Sequence, residues 1–182
     1  MGNSTAGADR GAPLLWIMMF TIASTLTAMA LKCATPFPAL AALAAMRMGR
    51  RDGVALMLLA WAASQTMGFC LRGFPHEAAT YGWAASLALG GIASVLVARI
   101  FAARAGSEWA GLALGYAAGF VAFKLVVLVF GLGIEGHLGA AFSGPVLLRQ
   151  FARDAAILIA LALLHRGLVA LGAPPAGRRA LA

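Results

Sequence analysis

The chain has 182 residues, of which 62% are hydrophobic and only 11% charged, whereas a water-soluble domain carries about 25% charged residues. A core of this size could not hide so much apolar surface from water, so lipid is its natural solvent. The net charge of +8 does not argue for nucleic acid, because the basic residues fall between apolar segments, where they set topology, and not in one stripe.

Residues 1–12 (MGNSTAGADRGA) are polar and predict a cytoplasmic tail. The opening residues match a myristoylation start only superficially, and a lipid anchor adds little to a chain that already spans. The apolar run that follows has full spanning length and no small-residue cleavage site after it, so it reads as a helix and not as a signal peptide. A crossing helix needs about 20 apolar residues. Six candidates satisfy or approach this: Pro13–Leu31, Pro36–Met48, Gly53–Phe69, Gly82–Phe101, Trp109–Ile134 and Phe151–Leu171. The second is short, and tilting, extension at its ends or a re-entrant path would each explain it. The expected architecture is an all-α bundle of six transmembrane helices over residues 13–172, with a second cytoplasmic tail at 173–182.

The loop charges divide into two sets. Arg10, Arg47, Arg50, Arg51, Arg99, Arg104, Arg166, Arg178 and Arg179 fall on one side; Lys32, Arg72, Arg149 and Arg153 fall on the other. The positive-inside rule puts the larger set and both termini in the cytoplasm. A five-span reading would break this pattern. Small residues crowd the helices, notably Gly90/Gly91/Ala93/Ser94, Gly111/Gly115/Gly119 at GxxxG spacing, and Thr21, Ser24, Thr25 and Ala28 on one face of the first helix. Such faces serve either internal packing or docking onto a partner membrane protein.

The outward loops gather the chemistry. Cys33, Cys70, His76, His137, Phe74, Tyr81 and Trp83 all belong to loops 1, 3 and 5 or their flanks. Thiol, imidazole and aromatic groups around one mouth suit a flat organic or transition-metal-bearing ligand. Plainer roles stand beside this: a Cys33–Cys70 disulfide, cysteines as small apolar fillers, and solvent-facing loop histidines. Lys32 favours a thiolate at Cys33, and Pro36 and Pro38 break the helix just after it. No C-x-x-C or H-x-x-x-H spacing supports a preformed zinc site.

Lys124 lies in the outer half of the fifth helix, either snorkelling to the interface or facing a wet cavity that Gln65 could share. Arg149, Arg153 and Asp154 open the sixth helix in this reading, where the two arginines suit an anion; a surface Arg153–Asp154 pair is the alternative. Every acid (Asp9, Asp52, Glu77, Glu108, Glu135, Asp154) reads as lying near an end or loop, which disfavours a proton-driven pump. No nucleotide-binding or hydrolase motif occurs.

The stretch CATPFPALAALAAMRMGRRDGVALMLLAWAASQTMGF, followed by RGFPHEAATYGW, resembles the BtuM family, solitary relatives of the substrate-binding S components of energy-coupling-factor transporters. The resemblance covers the first four helices by motif and the last two by pattern. It implies a six-helix S-component-type bundle in a bacterial inner membrane that takes up cobalamin. It also implies a cysteine that ligates the corrinoid cobalt and can assist loss of an upper cyanide, with no intrinsic cofactor. Cys33, within the matching segment, and Cys70 compete for that role. Arg72, Phe74, His76, Tyr81, Trp83, Lys124, His137 and Arg153 are the expected ligand contacts, and the first helix is the expected face for an energising module. The rival expectations are an S component for another vitamin, an assembly subunit that binds no ligand, and a redox enzyme using a Cys33–Cys70 disulfide.

Overall fold

The computed structural model describes residues 5–30, 36–135 and 142–174. Lys32, Cys33, His137, Arg178 and Arg179 lie outside the described residues. Within them the chain forms six helices: α1 (Thr5–Ala30), α2 (Phe37–Arg47), α3 (Arg50–Leu71), α4 (Ala78–Ala102), α5 (Glu108–Glu135) and α6 (Gly144–Ala170). Helices α3, α4 and α5 are long and apolar enough to cross a membrane, with mean hydropathies of 1.6, 1.9 and 2.3.

Hydropathy finds the apolar middle of a helix better than its ends, and two starts shift accordingly. Helix α1 reaches back past Pro13 to Thr5. Helix α6 begins at Gly144, with Ser143 at its N-cap position and Pro145 just inside, an arrangement that favours a helix start. Its polar residues Arg149 and Arg153 therefore sit in its second and third turns. They do not open the helix, so the predicted anion site at its N-terminus is not formed.

The short helix α2 is the centre of the bundle. Every residue from Phe37 to Ala45 is buried, and α3, α4, α5 and α6 all pack around it. Its 11 residues extend about 16 Å, roughly half of a hydrocarbon core about 30 Å thick. Pro36 and Pro38 fix its start, and Ala39, Ala41, Ala42, Ala44 and Ala45 let neighbouring backbones come close. In lipid that closeness, through dispersion contacts, replaces the hydrophobic drive available in water.

The GxxxG glycines of α5 are used for internal packing against α4. A Cβ on Gly115 would lie 3.2 Å from the Ala98 carbonyl oxygen, and one on Gly119 would lie 2.9 Å from Ser94 Oγ. Ser94 donates a 2.9 Å hydrogen bond to the Gly119 carbonyl. The small face of α1 also turns inward: Ser24 is buried and donates to the Thr21 carbonyl at 2.9 Å. The exposed face of α1 carries Leu15, Met18, Ile22 and Leu26.

Short connections make successive helices antiparallel and give the bundle two unlike ends. One carries the α2–α3 and α4–α5 turns with Arg47, Arg50, Arg51, Arg99, Arg104 and Arg166. Here Glu108 accepts from Arg47 and from Arg166 at 3.0 Å, joining α2, α5 and α6, and Arg99 donates to the Met48 carbonyl at 2.8 Å. The opposite end carries the α3–α4 turn and its aromatic residues.

Candidate functional site

The α3–α4 turn is built by the sequence Leu71–Arg72–Gly73–Phe74–Pro75–His76. Gly73 adopts a φ of 65°, which lets the chain leave α3 sharply. The Arg72 amide donates to the Met67 carbonyl at 3.1 Å and the Phe74 amide to the Gly68 carbonyl at 3.1 Å. Gly68 makes room for the returning ring, since a Cβ there would lie 2.4 Å from Phe74 Cε2.

This reversal gathers four rings. Phe69 is the hub: it stacks on His76 (centroids 5.2 Å apart, 27° between planes) and on Tyr81 (5.6 Å, 23°), and meets Phe74 edge-on (6.0 Å, 76°). A 2.9 Å hydrogen bond joins His76 Nδ1 to the Tyr81 hydroxyl. His76 and Tyr81 are exposed, and Cys70, next to the hub, carries a free and exposed thiol. The result is an aromatic cluster at the end of α3, with an exposed thiol on the residue that follows its hub. Among the described residues no group of three or more histidine, cysteine or acidic side chains is placed to hold a metal ion.

Of the predicted contacts, Phe74, His76 and Tyr81 come together here, and exposed Arg72 flanks them. Trp83 is half-buried and takes a packing role, its Cη2 standing 3.0 Å from where a Cβ on Gly131 would lie. The hub, Phe69, is a residue that sequence reasoning passed over. The R-G-F-P turn after it was the available signal, because a chain reversal there must lay the following residues back over the last turn of α3.

Lys124 and Arg153 belong to a second polar group between α5 and α6. Lys124 donates to the Gln150 side chain and lies over the rings of Phe120 and Phe142, 5.8 and 5.5 Å from their centroids. Arg153 donates to Asp154 through Nε at 3.1 Å and through its terminal nitrogen at 3.0 Å. Tyr116 donates to the Phe151 carbonyl at 2.6 Å. Asp154 is buried and lies well inside α6, which corrects the expectation that every acid sits near an end. The earlier start of α6, at Gly144 and not Phe151, is the reason. Gln65 hydrogen-bonds its neighbour Ser64.

Fold and site together define an all-helical chain of membrane-spanning character with one basic and one aromatic end. Compared with protein-family models, curated proteins and solved structures, it matches none.

Proposed function

We propose that this protein spans a bacterial inner membrane six times, with both termini in the cytoplasm, and takes up a corrinoid from the outer side. The aromatic end is the ligand face, and a cysteine thiolate ligates the cobalt. The observation that carries the reading is the Phe69–His76–Tyr81 stack at the end of α3, the same turn on which Cys70 exposes its thiol. A flat macrocycle gains from stacked rings, and a metal that arrives with its ligand needs only one soft donor from the protein. Arg72 stands at the rim for the polar periphery of the ligand, and the resemblance to the BtuM family points to cobalamin within this class.

The orientation rests on charge. Arg47, Arg50, Arg51, Arg99, Arg104 and Arg166 mark the opposite end as cytoplasmic under the positive-inside rule. Helix α2 makes the second crossing as a half-length helix enclosed by the others. Internal use of the α5 glycines and of Ser24 removes the main argument for a pure assembly subunit.

The test is the visible spectrum of the purified protein with cobalamin. A cobalt–thiolate band that disappears in Cys70→Ala or in Cys33→Ala identifies the donor. A spectrum unchanged by both substitutions refutes thiolate ligation. Preference for a different vitamin in a competition binding screen refutes the corrinoid assignment.

A further inference from the structure

At the basic end a cavity of about 350 Å³ opens between the C-terminal ends of α2 and α4 and the turn into α5. Its polar lining consists of Arg47, Arg99, Ser107 and Glu108. Glu108, the one acid of the lining, is already engaged by Arg47 and by Arg166. Arg47 Nε is buried with no hydrogen-bond partner, so the contact with Glu108 does not use every donor of this guanidinium. Ser107 Oγ accepts from the Ala110 amide at 3.2 Å, which leaves its own proton free to donate. Gly106 also lines the cavity, and a Cβ there would meet nothing within 4 Å.

We propose that this cavity binds a phosphate group, carried by the headgroup of an anionic phospholipid. Several acceptor oxygens on one centre can meet Arg47, Arg99 and Ser107 together, and guanidinium–phosphate hydrogen bonds are among the strong ones. The volume falls in the range of small-molecule sites. Basic pockets between helices at a membrane surface suit such headgroups. The proposal does not depend on the corrinoid reading, since it concerns the other end of the bundle.

Native mass spectrometry of the full chain, released from mixed micelles containing phosphatidylglycerol or phosphatidylcholine, tests it. Phosphatidylglycerol should be retained in preference to phosphatidylcholine. Arg99→Gln should lower that retention about tenfold, the size expected for one charge-assisted contact. Gly106→Glu should lower it comparably by placing a carboxylate at the lining without removing any contact of the fold, so the test stands even if Arg99→Gln fails to fold. Arg51→Gln, at the same end but outside the cavity, should bind as the parent does. Equal retention of the two lipids, an unaffected Gly106→Glu variant, or an Arg51→Gln loss as large as that of Arg99→Gln overturns the proposal. Release of phosphatidylglycerol by millimolar inorganic phosphate would support the phosphate site but identify a soluble phosphoester as its occupant; retention in inorganic phosphate supports the lipid.

Discussion

Trp16 of α1 packs against His165 of α6, with ring centroids 4.3 Å apart, planes tilted by 43° and both side chains buried. Phe20 adds a third ring, 6.2 Å from the imidazole, and Trp16 Nε1 donates to the Pro174 carbonyl at 2.7 Å. Large side chains thus bind the first helix to the end of the last. The imidazole contributes shape and not hydrogen bonding, since neither of its nitrogens has a hydrogen-bond partner.

A buried polar group left without a partner costs stability. His165→Met, which keeps the volume and removes the polar atoms, should therefore match or exceed the parent, by up to about 1 kcal/mol. His165→Ala should lose about 2 kcal/mol, because it opens a void beside Trp16. Thermal unfolding in detergent reads both. A methionine variant as damaged as the alanine variant would mean that the imidazole nitrogens make an interaction that the methionine loses.

The α4–α5 contact makes the second prediction. A side chain at Gly119 would meet Ser94 Oγ at 2.9 Å and the Ser94 carbonyl at 3.2 Å. The first can rotate; the second is backbone and cannot yield without parting the helices. Gly119→Val should cost about 2 kcal/mol and break the Ser94–Gly119 hydrogen bond. Gly133→Ala on the same helix, where a Cβ would meet nothing within 4 Å, should unfold like the parent. Similar losses in both would mean that the cost is general to glycine in α5 and not specific to this contact.

What the sequence disclosed depends on which physical term decided each feature. Hydrophobic length revealed helices α3, α4 and α5, and GxxxG spacing revealed a close helix contact, because both are local patterns. The position of α2 was not legible. An alanine-rich half-length helix has the same composition whether it lies at an edge or in the middle, and only its burial from Phe37 to Ala45 distinguishes the two. Phe69 was missed because stacking at 5.2 and 5.6 Å depends on the tertiary path through Gly73. Asp154 was misplaced for another reason. Counting apolar residues started α6 at Phe151, while its capping residues start it at Gly144.

Gly68 and Phe74 should behave as a coupled pair. A methyl group at position 68 would stand 2.4 Å from Phe74 Cε2, so Gly68→Ala must push that ring off the platform. The ring is partly exposed and can swing away, which limits the stability cost to about 1 kcal/mol. Phe74→Leu alone should cost a similar amount. In the double variant the two effects should combine to less than their sum, as expected for residues in contact. Additive losses in thermal unfolding would show that Phe74 does not pack over Gly68.

Cys70 and Ala103 report the polarity of the bundle. Both are exposed, Cys70 in the last turn of α3 and Ala103 just past α4, so one marks the aromatic end and the other the basic end. Arginine at cytoplasmic loops resists translocation, and the basic end holds Arg47, Arg50, Arg51, Arg99, Arg104 and Arg166. In a Cys33→Ala background, a membrane-impermeant maleimide should label Cys70 in intact cells. With both native cysteines replaced by alanine, Ala103→Cys should react only after permeabilisation. Labelling of Ala103→Cys in intact cells would place the arginines outside, and with them the wrong end for a ligand arriving from the medium. Protection of Cys70 by added cobalamin, measured in the same assay, would tie this end of the bundle to the ligand, because Cys70 shares the last turn of α3 with Phe69.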